Sequence, residues 1–170
     1  MANPLYDNLI GKHATNDACF LRQPGKPTVS FRQFSERTSQ VANLLLKHGL
    51  KPGDRVAVQA SKTVEMVILY GATIQAGGVF LSLNTDYKKD EISYFIKDAS
   101  PKIFVCDPQK RKELEQITGQ VGSQVLTLDK NGQGSLQSQA NILSKTFNTI
   151  DRRPDDLVAL LYTSGTTGRS

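Results

Sequence analysis

In Tyr162-Thr163-Ser164-Gly165-Thr166-Thr167-Gly168-Arg169-Ser170, the hydroxyl side chains of Thr163, Ser164, Thr166 and Thr167 are interleaved with two glycines. Glycine lets a backbone turn tightly and come close to a bulky anion. Successive backbone N–H groups in such a turn form an anion-binding concavity. Thr163, Ser164, Thr166 and Thr167 add hydroxyl donors that carry no charge. The apolar run Leu157 to Leu161 precedes them, so the loop leaves the end of a strand. This combination reads as a cradle for phosphate oxygens. It is not the nucleotide-triphosphatase loop, which needs Gly, four residues, then Gly-Lys-Ser/Thr. Gly165 and Gly168 are separated by Thr166 and Thr167 only, and Arg169 stands where the lysine would be.

Residues 162 to 168 match in full the phosphate loop of the adenylate-forming enzymes. These are the acyl-CoA synthetases, peptide-synthetase adenylation domains and luciferases. Their signature runs Tyr/Phe-Thr-Ser-Gly-Ser/Thr-Thr-Gly, two variable residues, then Lys-Gly, a pair that would begin at position 171. Four earlier segments resemble the family in its own order. They are Val29-Ser30-Phe31-Arg32-Gln33-Phe34, Gly49-Leu50-Lys51-Pro52-Gly53-Asp54-Arg55-Val56-Ala57, Ala76-Gly77-Gly78-Val79-Phe80-Leu81-Ser82-Leu83-Asn84 and Tyr94-Phe95-Ile96-Lys97-Asp98-Ala99-Ser100-Pro101-Lys102. Ser82 stands where proline is usual. Within the family the chain most resembles malonyl-CoA synthetases, through Leu83-Asn84-Thr85-Asp86-Tyr87, Val105-Cys106-Asp107-Pro108, Ile150-Asp151-Arg152 and Arg169-Ser170.

The resemblance implies a two-step reaction. A carboxylate attacks the α-phosphate of ATP, giving an acyl-adenylate and pyrophosphate; the thiol of coenzyme A then attacks the activated carbonyl. It implies ATP, Mg²⁺ and coenzyme A as cofactors or co-substrates, and a small carboxylic acid, malonate first, as substrate. Thr163, Ser164, Gly165, Thr166, Thr167 and Gly168 become the expected nucleotide-binding residues. Arg169 is read as a solvated charge. The family's adenine-, acid- and thioester-forming residues lie downstream, so no catalytic residue and no metal ligand is expected within the chain. Enzymes of this kind are several hundred residues longer. The chain therefore reads as about the first third of the expected protein, with 1–170 an incomplete N-terminal AMP-binding domain, inactive alone. Residues 1–50 are expected to pack on a later subdomain, and 51–170 to form a βαβ sheet layer ending in the phosphate loop. Another acyl- or aryl-acid CoA ligase, or a non-catalytic remnant, remains an alternative.

Composition narrows the classes. The 170 residues carry 21 basic and 16 acidic side chains, a formal charge of +5, with 38% hydrophobic residues. The basic residues are scattered in short clusters at Lys88-Lys89, Lys110-Arg111-Lys112 and Arg152-Arg153, not in the long stripe with interleaved aromatics of a nucleic-acid face. Cys19 and Cys106 lack metal-ligand spacing and read as reduced thiols of a cytoplasmic protein. Glu65 and Gln75 interrupt the most apolar region, so no membrane span is expected. Residues 1–20 lack the pattern of a signal peptide. Oligomeric state leaves no mark.

Strand and helix signals alternate, which predicts an α/β fold with a mainly parallel sheet. Strand-like runs are Arg55–Ala60, Val79–Leu83, Lys102–Cys106, Gln124–Leu128 and Leu157–Leu161. Helical spacing joins Phe34, Thr38, Val41, Ala42 and Leu45, with Gly49 as the stop. Ser61 is the expected N-cap of a helix through Val64, Ile68 and Ala72. Ile92, Phe95, Ile96 and Ala99 form a third stripe, ended by Pro101. Asp107-Pro108 is expected to open a helix through Leu114 and Ile117. Asp129 to Ser135 reads as a surface loop, Asp54 as a structural turn residue, and Tyr87 and Tyr94 as packing residues. His13 and His48 have no acid or nucleophile in pattern nearby. Ligands in such open sheets bind beyond the carboxyl ends of the strands, where Leu161 delivers the loop.

Overall fold

The computed structural model describes residues 3–162. Five parallel strands form one sheet in the order β6-β5-β3-β4-β7. They are β3 (Arg55–Gln59), β4 (Val79–Ser82), β5 (Ile103–Cys106), β6 (Gln124–Thr127) and β7 (Ala159–Leu160). β3 pairs with β4 in the register Val56↔Phe80 and with β5 in the register Val56↔Ile103. β4 pairs with β7 through Phe80↔Ala159 and Leu81↔Leu160. A short antiparallel hairpin, β1 (Cys19–Leu21) with β2 (Val29–Ser30), stands apart.

A parallel sheet is buried on both faces, so its strands run continuously apolar and successive side chains serve opposite layers. Val56, Val58, Ile103, Val105 and Leu126 point into one core, shared with α2 (Phe31–Lys47), α3 (Val64–Gln75) and α6 (Ser135–Ala140). Ala57, Leu81, Phe104 and Cys106 point into the other, shared with α4 (Lys89–Ala99) and α5 (Arg111–Thr118). The result is helix, sheet, helix.

The first fifty residues find partners within the chain. α1 (Pro4–Leu9) is capped by Asn3, whose Oδ1 accepts from Tyr6 N while its amide donates to the Ile74 carbonyl at 2.8 Å. α2 opens with a reciprocal box: Gln33 N donates to Ser30 Oγ, and Ser30 N to Gln33 Oε1 at 3.0 Å. That arrangement satisfies two backbone donors that a helix start leaves free. Phe34, 2% exposed, packs edge-on against Phe20 with ring centroids 4.9 Å apart. Gly71 lets α2 approach α3 closely; a Cβ there would stand 3.3 Å from both Phe34 and Thr38. Gly49 ends α2 with φ +79°, the left-handed conformation that glycine adopts without a Cβ penalty.

Two expected helix starts move. Thr63, not Ser61, caps α3, its Oγ1 accepting from Met66 N at 3.3 Å. Asp107 caps as expected, but it opens a 3₁₀ turn over Pro108–Lys110, and α5 begins at Arg111. The expected loop 129–135 ends in α6, which starts at Ser135.

Phe34→Ala removes a ring from the α2–α3 seam and is expected to cost the 170-residue chain about 3–5 kcal/mol. Leu46→Ala, on the 39% exposed side of the same helix, is expected to stay within about 0.5 kcal/mol. Urea denaturation of both variants checks the contrast; equal losses would contradict this packing.

Candidate functional site

Every strand of the main sheet releases its chain at the same edge, so the carboxyl ends of β3, β4, β5, β6 and β7 share one rim. Gln59 closes β3 there and is 1% exposed. Its amide nitrogen donates to the carbonyls of Asn84 at 2.9 Å and Tyr87 at 3.2 Å. These bonds draw the loop after β4 over the end of β3. Lys110 holds the same loop from the other side, Nζ donating to the Thr85 carbonyl at 2.9 Å. The loop folds on itself, Asp86 N donating to Asn84 Oδ1. It then enters α4, where Lys88 N donates to Glu91 Oε2 at 2.8 Å. At the far end of α4, Arg55 Nε donates to the Ala99 carbonyl at 2.6 Å and Arg55 Nη2 to the Ser100 carbonyl at 3.3 Å. A guanidinium beside the last carbonyls of a helix satisfies free acceptors and complements the helix dipole.

α4 is thus capped by its own Glu91 at its start and held by Arg55 of β3 at its end, and β7 delivers its last residues against it. The ladder to β4 stops at Leu160, and Leu161 is 76% exposed. Tyr162 turns back. Its ring lies 4.3 Å from that of Phe95, and its hydroxyl donates to Asp98 Oδ2 at 2.5 Å. Tyr87 also meets Phe95, at 5.0 Å. Burial first, and the bond to Asp98 second, push the Tyr162 hydroxyl above the usual tyrosine range. Tyr94 packs edge-on against Phe95 at 5.6 Å while staying 58% exposed at the edge of this cluster.

The expected nucleotide-binding residues Thr163, Ser164, Gly165, Thr166, Thr167 and Gly168 lie outside the described residues. The structure defines their root: β7 and Tyr162, at the carboxyl rim. Residues set aside as non-catalytic have structural partners. Asp54 Oδ2 accepts from Lys51 N at 2.9 Å. His13 stacks on Phe31, and His48 Nε2 lies 3.1 Å from Gln139 Oε1. Cys106 is fully buried, and burial pushes its thiol up to about 12; a thiol kept neutral is a poor nucleophile. Among the described residues no three His, Cys, Asp or Glu side chains gather to hold a metal, and no helix is long and apolar enough to cross a membrane.

Gln59, Lys110 and Asp98 were not anticipated. Gln59 left a faint signal, a polar residue closing an otherwise apolar strand; the other two act across distances that local pattern does not encode.

Residues 11–170 match the family model described as AMP-binding enzyme. The chain belongs to that family of adenylate-forming enzymes. Its structure superposes on MatB from Rhodopseudomonas palustris with a TM-score of 0.95, at 46% identity for the apo form and 47% for the ATP-bound form. The match covers 99% of this chain and 34% of MatB. Tyrocidine synthase 2 of Brevibacillus parabrevis is 36% identical over 141 residues, 83% of this chain and 4% of that protein. A benzoate CoA ligase from Burkholderia xenovorans shares the fold at a TM-score of 0.83 and 15% identity. The chain thus spans about a third of the length of the solved relatives.

Alkaline titration tests the Tyr162–Asp98 contact. Below about pH 10, where an ordinary tyrosine ionises, the hydroxyl is neutral whether the chain is folded or unfolded, and its contribution to stability is complete. At higher pH the unfolded chain ionises first, so stability falls as pH climbs through the raised folded value. Followed by phenolate absorbance, Tyr162 is expected to titrate late among the five tyrosines, together with Tyr6, which burial also raises. Asp98→Ala is expected to bring Tyr162 earlier. A profile unchanged in that variant would mean the bond is not made in solution.

Proposed function

We propose that this chain is the nucleotide-binding beginning of an AMP-forming acid–thiol ligase that converts malonate, ATP and coenzyme A to malonyl-CoA, AMP and pyrophosphate. The observation that carries the reading is the likeness to MatB along 99% of the chain, with a TM-score of 0.95 and 47% identity to the ATP-bound form. The resemblance of the segments around Asn84 and Arg169 to malonyl-CoA synthetases favours malonate over other acids.

The chemistry follows from the loop's composition and its root. An oxygen of the acid's carboxylate attacks the α-phosphorus of ATP, and the bond to the bridging oxygen of pyrophosphate breaks. Negative charge grows on the departing pyrophosphate. Hydroxyls of Thr163, Ser164, Thr166 and Thr167, with backbone N–H groups freed by Gly165 and Gly168, would donate to those oxygens. Donors fixed in advance and aimed at developing charge help the transition state more than the ground state. Mg²⁺, arriving with the phosphates of ATP, would share that charge. Residues that bind the acid and form the thioester belong to the part of the relatives that this chain does not span, so the 170-residue chain alone is expected to make no thioester.

Pyrophosphate exchange by the complete enzyme tests the reading. Malonate is expected to support it better than acetate, benzoate or a medium-chain fatty acid. Preference for benzoate or the fatty acid would replace malonate with another acid; no exchange with any acid would favour a non-catalytic remnant. Thr163→Ala combined with Thr166→Ala is expected to slow exchange about a hundredfold, the cost of about one preorganised donor. Unchanged exchange per folded molecule would reduce the loop to a turn.

A further inference from the structure

We infer that Asp98 and Tyr162 form an anchor that positions the phosphate loop, making Asp98 a positioning residue of the adenylation step although it lies 64 residues away in sequence. The inference rests on the nucleotide reading of residues 163–168.

Three observations carry it. First, backbone pairing ceases two residues before the loop: the β4–β7 ladder ends at Leu160, and Leu161 is 76% exposed. Among the described residues, the contacts that fix the chain at the loop's entrance are those of the Tyr162 side chain. Second, these contacts are of two kinds that together set both place and direction. The ring stacks on Phe95 at 4.3 Å, and the hydroxyl donates to Asp98 at 2.5 Å. Stacking alone lets a ring slide or rotate in its plane; a hydrogen bond at the tip fixes where the tip lies. Third, the support does not give. Phe95 and Asp98 lie one turn apart on one face of α4, and Arg55 of β3 holds the end of that helix through the carbonyls of Ala99 and Ser100, next to Asp98. Thr163 follows Tyr162 directly in sequence, so Tyr162 is the last described residue before the first hydroxyl of the loop. A small misplacement of a positioned group far from the bonds that change is enough to slow a reaction.

The anchor also separates polar from apolar function in one residue. Tyr162→Phe keeps the stack and removes the donor. Asp98→Ala removes the acceptor; Asp98→Asn keeps an acceptor oxygen in the same place. A merely structural contact would respond to these changes through stability, whereas an anchor for the loop responds through the rate at which pyrophosphate departs.

The test has two arms. In the 170-residue chain, amide hydrogen exchange is followed over residues 157–162 and over the sheet. Tyr162→Phe and Asp98→Ala are each expected to raise exchange at 157–162 about fivefold, the worth of one ordinary hydrogen bond, with β3 and β5 unchanged; Asp98→Asn is expected to restore most of the protection. No change at 157–162, or a rise spread evenly over the sheet, would overturn the anchor. In the complete ligase, the same two variants are expected to lower kcat for malonate-dependent pyrophosphate exchange about fivefold with KM for malonate unchanged, and Asp98→Asn to recover it. Loosened exchange with kcat intact would overturn the positioning role. A parent ligase that binds ATP but exchanges no pyrophosphate with any acid would overturn the nucleotide reading and the positioning role with it, while the first arm would still judge the anchor itself.

Discussion

A parallel sheet has to be covered on both faces, and most of this structure follows from that constraint. Backbone alternation sends Val56 and Val58 to one side of β3 and Ala57 to the other. Each side then needs helices, and the crossovers supply them: α3 returns over one face, α4 and α5 over the other. Antiparallel strands can reverse in a tight turn with one face in water; parallel strands cannot. Gly71 marks where close approach matters, at the α2–α3 crossing.

Parallel order also puts every strand's carboxyl end at one rim, and polar residues that would be costly elsewhere are usable there. Gln59 is nearly fully buried, and its amide nitrogen donates to loop carbonyls, while its Oε1 meets no partner among the described residues. A buried amide with partners of this kind rigidifies its surroundings; one without them would destabilise the sheet. Lys110 extends the same logic to the loop after β4, and Arg55 to the end of α4. The rim is thus a braced surface, and the segment that resembles a phosphate loop leaves from it. Rigidity is what electrostatic stabilisation of a leaving group asks for, because donors that must reorganise during the reaction return part of their benefit.

Much of this could be read before the structure. Runs such as Val-Ala-Val and Ile-Phe-Val-Cys are β-branched or apolar throughout, and all five anticipated strands of the main sheet are present within a residue or two at each end. Helix α2 was legible because Phe34, Thr38, Val41, Ala42 and Leu45 state its core face and Gly49 its stop; the capping box of Ser30 and Gln33 is a finding of the structure. Other features had no local signal. Ser61 and Thr63 are equally good caps in sequence; residues 61–63 stay outside the helix, and that choice belongs to tertiary packing. β1 and β2 are two or three residues long, too short for periodicity to register. Strand order is a matter of long-range pairing, as is the meeting of Tyr162 with Asp98. For the candidate site, sequence named the loop's chemistry and its place at a strand end; the structure adds the braced root, and residues 163–168 themselves rest on the resemblance.

The central claim is that a carboxylate oxygen attacks the α-phosphorus of ATP. Isotope transfer tests it most directly. The complete enzyme is supplied with ATP, Mg²⁺, coenzyme A and malonate labelled with ¹⁸O in its carboxylates, and the AMP and pyrophosphate are analysed by mass spectrometry. The attacking oxygen stays on phosphorus when the thiol displaces AMP from the acyl carbon. The account therefore predicts one ¹⁸O in each AMP formed and none in pyrophosphate. Unlabelled AMP, or formation of ADP with label in inorganic phosphate, would contradict it.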